Sequence, residues 1–245
     1  MSTDSDDTEP FEVEVSDDDI ADLRKRLADA RWPDQLPDAD WDYGADREYL
    51  QNLCGYWREE FDWDDFADRL NRFDQYRTTI DGQPVHFYHV RSPEADATPM
   101  LLSHGWPGSV TEFLDVLGPL SDPASHGGDP DDAFHVVAPS LPGYGFSGPT
   151  TEQGYGVRRV SETFATLMDR LGYDSYVAQG GDWGAMISAL LGQNHPDSVE
   201  AIHVNMLPAS PPDVEDPTAM LDEDEIADLQ ETEAFRETET ACISK

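Results

Sequence analysis

The chain has 245 residues, which is enough for one sizeable hydrophobic core and a smaller appendage. Its 52 acidic residues outnumber 15 basic ones, and the formal charge of −37 is spread along the whole chain, which argues against nucleic acid or an anionic membrane as a partner. Such a charge destabilises a compact state unless salt screens it, so the composition predicts a high-salt setting.

The start of the chain and its hydropathy pattern predict a cytoplasmic protein. Residues 1–9 are acidic and polar, unlike a secretory signal peptide, and no run approaches the roughly 18 to 20 apolar residues of a membrane span. The two cysteines, Cys54 and Cys242, have neither metal-site nor redox spacing. We expect no metal and no cofactor, and the composition does not indicate an oligomeric state.

The N-terminal part has a helical pattern. Residues 1–10 are expected to be a disordered acidic leader, and residues 11–74 to form a helical region before the sheet. Three helices are predicted there: one capped by Ser16 and stopped by Trp32-Pro33, one near 46–59 and one near 63–71. The aromatic residues of this region are expected to pack rather than to bind a cofactor.

The periodicity changes at Gln75. Residues 76–80 and 85–90 flank Asp81-Gly82, a dipeptide that predicts a β-hairpin. Short apolar strands then alternate with helices: strands at 100–103, 134–138, 176–178 and 199–205, and helices at 109–117, 157–171 and 186–193. A hairpin followed by this alternation is typical of a doubly wound α/β sheet, which we predict over residues 75–207.

Beyond residue 207 the alternation stops. A proline-rich linker at 208–217 and an acidic helical stretch at 221–240 are expected, and residues 208–245 are interpreted as the start of a lid region. The last five residues hold one of the two cysteines and one of the two lysines. This shift in composition predicts a truncated chain, whose incomplete sheet lacks its last strands and whose exposed apolar edge lowers stability.

One acid stands at a predicted strand-to-helix turn. In Val177-Ala178-Gln179-Gly180-Gly181-Asp182-Trp183-Gly184-Ala185-Met186, small residues surround Asp182. The small-x-nucleophile-x-small pattern is typical of the nucleophile elbow of α/β-hydrolases, with Asp182 in place of the usual serine. The glycines are needed because so tight a turn leaves no room for side chains. A Gly-Gly-Asp sequence also occurs in ordinary turns and helix caps, which is the alternative.

An aspartate nucleophile selects a particular chemistry. A carboxylate can displace a leaving group from an sp3 carbon and form an alkyl ester, which water then cleaves at the acyl carbon. A serine would form an ether, which an oxyanion hole does not help to open. Asp182 therefore indicates the opening of an epoxide or of a carbon–halogen bond rather than ester hydrolysis.

A second motif, His104-Gly105-Trp106-Pro107-Gly108-Ser109, follows the predicted strand at 100–103. In α/β-hydrolases the loop at this place supplies one backbone N–H of the oxyanion hole, and the residue after the nucleophile supplies the other. By position these donors are the N–H groups of Trp106 and Trp183. The loop is shaped by the other residues of the motif, His104, Gly105 and Pro107. The alternative is a plain His-Gly-x-Pro turn.

A third motif, Pro139-Ser140-Leu141-Pro142-Gly143-Tyr144-Gly145-Phe146-Ser147-Gly148, follows the predicted strand at 134–138. Its glycines suit a tight loop at the carboxyl edge of the sheet, where ligands bind in such folds. Tyr144 and Phe146 are expected either to line a pocket or to plug the loop, and both alternatives stay open.

Three motifs in this order, each after a predicted strand, are more specific than any one of them. Together they resemble the epoxide hydrolases of the α/β-hydrolase superfamily, in particular the microsomal and juvenile-hormone type, whose helical N-terminal meander is similar to residues 10–115. Haloalkane dehalogenases share the aspartate elbow, but they usually carry Asn where Trp106 stands and they lack the meander. The almost letter-for-letter matches are His104-Gly105-Trp106-Pro107, Pro142-Gly143-Tyr144-Gly145 and Gly181-Asp182-Trp183-Gly184.

The resemblance implies a small apolar epoxide and water as substrates, with Asp182 as nucleophile and Trp106 and Trp183 as oxyanion hole. The family's lid tyrosines, its base His and the acid that orients this His come after the sixth strand, and no Tyr or His follows Leu207 in this sequence. His104 is not expected to act as the base. Three interpretations stay open: an epoxide hydrolase lineage, a dehalogenase-like hydrolase and a non-catalytic remnant.

Overall fold

The computed structural model of the protein describes residues 8–150, 152–207, 218 and 221–239. The chain divides into two units, Met1–Met206 and Leu207–Lys245. Three predicted segments lie outside the described residues: the leader at 1–7, the linker at 208–217 and the C-terminal residues 240–245.

The N-terminal region is helical, as predicted, and each helix begins at an acceptor side chain. The helices are α1 (Asp17–Ala28), α2 (Arg47–Glu59) and α3 (Trp63–Leu70). The side-chain oxygens of Ser16, Asp46 and Asp62 accept backbone N–H groups of the respective first turns. Neither α1 nor α2 buries a residue, and α3 buries only Leu70. Local capping therefore fixes these helix starts.

A short strand occupies part of the predicted leader. Glu9–Phe11 form β1, which pairs antiparallel with β2 (Gln75–Ile80), and the Arg77 guanidinium lies 4.0 Å from the centre of the Phe11 ring. The prediction of disorder through residue 10 is therefore wrong for Glu9 and Pro10. A strand of three residues has no alternation of its own, and its pairing partner lies far along the chain.

A mixed sheet forms the centre of the first unit. The remaining strands are β3 (Gln83–Val90), β4 (Thr98–Ser103), β5 (Phe134–Pro139), β6 (Tyr176–Gly180) and β7 (Val199–Val204), and the order is β1-β2-β3-β5-β4-β6-β7. The predicted hairpin joins β2 to β3 through Asp81 and Gly82, which both have positive φ. Strands β4 to β7 pair in parallel, so their carboxyl ends meet at one edge of the sheet.

Apolar clusters on both faces of the sheet correspond to the predicted doubly wound arrangement. Phe87 and Leu101 pack in one cluster with side chains of α5 and α6, whereas their neighbours Tyr88 and Leu102 pack in a second cluster with side chains of α4 and of the N-terminal region. These helices are α4 (Leu114–Ser121), which a 3-10 turn (Val110–Phe113) precedes, α5 (Val157–Arg170) and α6 (Trp183–Asn194).

The second unit has one described helix. α7 (Glu223–Glu239) begins with three acidic residues, which confirms the predicted acidic helical stretch. Within the described ranges, no helix combines the length and the apolar character that crossing a membrane requires.

Candidate active site

Asp182 lies at the sharp turn between β6 and α6, at the carboxyl edge of the sheet. Its φ of 51° and ψ of −122° fall in a region that residues with a side chain rarely adopt. The backbone is therefore strained at this residue, as is common at functional sites. The turn has the shape of the elbow that the sequence pattern predicts.

Backbone packing around this elbow leaves no room for side chains. An ideal Cβ on Gly184 would lie 1.9 Å from the Ser103 carbonyl oxygen, and one on Gly180 would lie 2.1 Å from the Gly184 carbonyl oxygen. Both contacts are with backbone atoms, which cannot rotate away. β4, β6 and α6 thus approach one another as closely as glycine alone permits, and this packing fixes the position of Asp182.

The loop after β4 donates a hydrogen bond to Asp182. The Trp106 N–H lies 2.7 Å from Asp182 Oδ1, and no other hydrogen bond reaches this carboxylate from the described residues. An ideal Cβ on Gly105 would lie 2.5 Å from the same oxygen, so the approach requires glycine. Trp183 is the first residue of α6, and its N–H has no acceptor within the helix. The geometry is compatible with the predicted oxyanion hole.

His104 ties this loop to the third motif. It is fully buried, its Nδ1 lies 3.0 Å from the Gly105 carbonyl oxygen, and its Nε2 accepts the Leu141 N–H at 3.0 Å. These partners fix the neutral tautomer with the proton on Nδ1, and burial lowers the pKa of His104. His104 is therefore a buried link between two loops rather than a base. The peptide bond between Trp106 and Pro107, in the same loop, is cis.

The two aromatic residues of the third motif have different surroundings. The Tyr144 ring lies 6.4 Å from the Trp183 ring, beside the elbow. The Phe146 ring lies 5.4 Å from the ring of Phe11 in β1. Phe146 therefore fills the space between its loop and β1, whereas Tyr144 stays a candidate for the lining of a pocket.

Two further histidines are buried away from Asp182. His86 lies between Gln75 and Ser140, whose side-chain oxygens are 3.0 Å from Nε2 and 2.9 Å from Nδ1, and burial lowers the pKa of His86 to about 3. Burial likewise lowers the pKa of His89 to about 4. In the described part of the chain, no histidine is hydrogen-bonded to Asp182.

Two polar side chains near the elbow are not singled out by the sequence motifs. Glu112 places Oε2 2.7 Å from an ideal Cβ on Gly108, and burial, followed by the negative charge of Asp182, raises the pKa of Glu112. Asn205, directly after β7, places Oδ1 2.5 Å from an ideal Cβ on Gly181. Acidic residues are so frequent that Glu112 has no distinguishing signal, and Asn205 is recognisable only by its place after the strand.

Family comparisons match both parts of the chain. The family described as epoxide hydrolase N terminus matches residues 8–113, and the alpha/beta hydrolase fold family matches residues 98–237. A putative epoxide hydrolase from Stigmatella aurantiaca is 44% identical over 226 residues, which cover 92% of this chain and 51% of that relative. The chain thus spans about half the length of the curated relatives that it matches.

Solved structures have the same fold. The epoxide hydrolase of Aspergillus niger superposes with a TM-score of 0.79 at 33% identity, over 94% of this chain and 60% of that one. The juvenile hormone epoxide hydrolase of the silkworm Bombyx mori superposes with a TM-score of 0.74 at 32% identity, over 83% of this chain and 54% of that one. The predicted α/β-hydrolase core with a helical N-terminal region is confirmed, and the chain belongs to the α/β-hydrolase fold family.

Proposed function

We infer that this chain carries the nucleophile of an epoxide hydrolase, which opens epoxides to vicinal diols through an ester on Asp182. The observation that carries the inference is an aspartate at the elbow, with the Trp106 N–H bound to one of its two carboxylate oxygens. The epoxide hydrolase relatives support it, because they match the chain on both sides of this residue.

The first half-reaction is a substitution at an epoxide carbon. A carboxylate oxygen of Asp182 forms a bond to that carbon, and the ring C–O bond breaks with its electron pair on the ring oxygen. This oxygen then takes a proton from solvent and becomes a hydroxyl group. The backbone packing at Gly180 and Gly184 holds the nucleophile in one place during this step.

The second half-reaction is the hydrolysis of the ester. Water attacks the acyl carbon of Asp182, and negative charge develops on the carbonyl oxygen. The N–H groups of Trp106 and Trp183 are the donors that stabilise this charge. When the bond to the diol oxygen breaks, this oxygen takes one of the two protons of the water and the other passes to solvent, so the diol leaves and the carboxylate is restored. One oxygen of the carboxylate then comes from water.

The side chains around the elbow support an apolar epoxide as substrate. Trp106 and Trp183 are 60% and 38% exposed at the open edge of the sheet, and the Tyr144 ring lies beside Trp183. Aromatic rings bind apolar and aromatic groups through large contact areas. A small apolar epoxide such as styrene oxide is therefore the probe of choice.

Intact-protein mass spectrometry tests the nucleophile. Wild-type protein mixed with styrene oxide in molar salt should gain the mass of one epoxide, on the peptide that contains Asp182. Asp182→Asn should gain none, whereas Asp174→Asn, at an exposed position, should behave as the wild type. If folded wild-type protein forms no adduct and releases no diol, the proposal is contradicted. Halide release from a haloalkane, without epoxide opening, would select a dehalogenase-like hydrolase.

The acidic composition supports a high-salt cytoplasm as the setting. The formal charge is −37, and the described ion pairs lie between partly or largely exposed side chains, where they contribute little. At 1 M salt the Debye length is about 3 Å, so repulsion between surface carboxylates is screened. The free energy of unfolding should therefore rise between about 0.1 and 2 M salt. Because screening depends on ionic strength alone, the rise should be roughly the same in KCl and in NaCl. A free energy of unfolding that is independent of salt would contradict this setting.

A further inference from the structure

Two arginine side chains, Arg72 and Arg91, line one recess in a chain that acidic residues dominate. The recess has a volume of about 510 Å³ and lies at the open end of the β2–β3 hairpin. We propose that it binds a tetrahedral oxyanion, either inorganic phosphate or the phosphate group of a small organic monoester. The inference goes beyond the proposed function and does not depend on it, because no step at Asp182 uses this recess.

The register of the sheet separates the recess from the candidate active site. Val90, at the end of β3, pairs with Val136 near the start of β5, whereas Asp182 follows the carboxyl end of β6. The recess therefore lies at the amino edge of the parallel strands. The His89 N–H donates to the Asp74 carbonyl oxygen at 3.1 Å, so the chain segments just outside the hairpin stay adjacent. A ligand can occupy this place without touching the elbow.

Both arginines are held at the recess by their neighbours. Arg72 lies between α3 and β2, and its guanidinium is 5.5 Å from the centre of the Phe73 ring. Arg91 directly follows β3. Burial, followed by the charge of Arg91, lowers the pKa of His89 to about 4, so this charge lies close to the His89 ring. The two segments that the bond between His89 and Asp74 joins thus bring two cations to one place.

Neither guanidinium group is neutralised by a carboxylate. Within the described residues, no carboxylate oxygen lies within 4.0 Å of a side-chain nitrogen of Arg72 or Arg91. This is notable in a chain with 52 acidic and 15 basic residues. Two such cations at one recess repel each other, and an anion bound between them replaces this repulsion by attraction. The arrangement therefore suits a negatively charged ligand.

The chemistry of the guanidinium group favours an oxyanion. Its planar fork of N–H donors binds two oxygens of one phosphate group at a time, whereas chloride offers a single acceptor atom. A phosphate dianion also carries enough charge for two arginines. The apolar side chains of Phe73, Val90 and Leu171 line the rest of the recess, and its volume is in the usual range of small-molecule sites. An organic monoester should therefore bind more tightly than inorganic phosphate.

The overall negative charge of the chain does not prevent this binding in molar salt. At 1 M salt the Debye length is about 3 Å, so the charges in contact with the ligand decide. His89 is neutral at neutral pH, and its Nε2 lies 2.8 Å from the Tyr173 hydroxyl. The charges that remain at the recess are those of Arg72 and Arg91 and the opposing carboxylate of Asp74.

Phosphorus NMR measures the affinity for the two sources of the same group. Inorganic phosphate and phenyl phosphate are titrated with protein in molar KCl, at neutral pH and constant ionic strength. Arg72→Gln and Arg91→Gln should each weaken binding about 10-fold or more, as expected for loss of a charged hydrogen-bond donor. Arg158→Gln removes the same charge from an exposed position of α5 and should keep the wild-type affinity.

Two further measurements separate binding from structure. Asp74→Asn removes the opposing carboxylate and should tighten binding by about 2- to 5-fold. Without ligand, thermal unfolding of Arg72→Gln and Arg91→Gln should resemble that of Arg158→Gln, because none of the three loses an ion pair. Phenyl phosphate should raise the melting temperature of the wild type and of Arg158→Gln, but hardly that of the two recess variants.

The outcomes distinguish this inference from the proposed function. Tighter binding of phenyl phosphate assigns the recess to a monoester, and tighter binding of inorganic phosphate assigns it to the free anion. Equal losses of affinity in all three arginine variants would mean that net charge alone attracts the ligand, which overturns the site. The absence of saturable binding to folded wild-type protein overturns it as well.

Asp182→Asn, which forms no epoxide adduct if the proposed function is correct, should bind phenyl phosphate as the wild type does. Loss of binding in this variant would place the ligand at the elbow and overturn the recess as its site. Failure of the wild type to form an adduct, by contrast, would leave the oxyanion site unaffected.

Discussion

The elbow and the N-terminal helices reach their structures by opposite means. At the elbow, backbone atoms of β4, β6 and α6 touch at Gly180 and Gly184, and the strained Asp182 results from this packing. In the N-terminal region, α1 and α2 bury no residue, and side-chain caps define where they begin. Substitutions should therefore lower the free energy of unfolding strongly where backbone atoms meet, and only slightly where a single helix cap is lost.

A buried polar network joins the two regions. The Gln75 side-chain amide donates to Asn71 Oδ1 at 2.9 Å, and its oxygen lies 3.0 Å from His86 Nε2. His86 Nδ1 lies 2.9 Å from the hydroxyl of Ser140, at the start of the third motif. A substitution at the end of α3 can therefore displace the third-motif loop, which His104 connects to the loop beside Asp182.

The largest effect is expected at the elbow, from Gly184→Ala. The new methyl group would lie 1.9 Å from the Ser103 carbonyl oxygen, so β4 and α6 must separate, at a cost of at least about 3 kcal/mol in the free energy of unfolding. Gly192→Ala, in the same helix, is the matched control. There the nearest atom is Ile202 Cγ2 at 3.2 Å, on an exposed side chain that needs to shift by only a few tenths of an ångström, and the change should stay within about 1 kcal/mol. Urea denaturation in molar salt measures the free energy of unfolding of both variants. An equal decrease in both would contradict the prediction that backbone packing at Gly184 makes the difference.

The next largest effect is a pH dependence of stability that arises from His86, in the polar network between the two regions. His86 is neutral in the folded protein because burial lowers its pKa to about 3, whereas in the unfolded chain its pKa is about 6.5. Below pH 6.5 the unfolded state binds more protons, so His86 makes stability fall as pH drops, by about 2 kcal/mol at pH 5. Carboxylate protonation relieves repulsion and acts in the opposite direction.

A comparison of variants isolates this contribution. His86→Gln should be less stable than wild type at pH 7. This difference should shrink by about 2 kcal/mol at pH 5, because only the wild type has a histidine that takes up a proton when the protein unfolds. His126→Gln is the matched change at an exposed position. A stability difference between His86→Gln and wild type that is the same at both pH values would show that burial of His86 does not oppose its protonation.

Local signals explain why much of this structure could be predicted from the sequence. Ser16 and Asp81-Gly82 determine a helix start and a hairpin through contacts within a few residues. β1 could not be found in this way, because only pairing with β2 defines it. The same holds for the site: the motif contains His104, but its partner Leu141 lies in another loop, and Glu112 is one acid among 52 until the fold brings it to the loop beside Asp182.

A smaller difference in stability is expected between two substitutions of Asp182, and it reports the backbone strain at this residue. Asp182→Gly and Asp182→Ala both lose the carboxylate that accepts the Trp106 N–H, and both should fail to form the adduct. They differ in backbone freedom, because glycine adopts a φ of 51° with a ψ of −122° more easily than alanine. The glycine variant should be more stable than the alanine variant by about 1–2 kcal/mol, measured by urea denaturation. Equal stability would mean that the elbow holds no strain.

The smallest effect is expected in α1, from Ser16→Ala. The Ser16 hydroxyl accepts the Asp19 N–H at 3.2 Å, and loss of such a cap costs about 1 kcal/mol. Ser16→Thr keeps a hydroxyl acceptor and should recover most of this loss. Since α1 buries no residue, faster hydrogen exchange should be confined to its first turn, and the rate of adduct formation at Asp182 should not change. A slower rate in Ser16→Ala alone would mean that the cap of α1 supports the elbow, and the two regions would then form one cooperative structure.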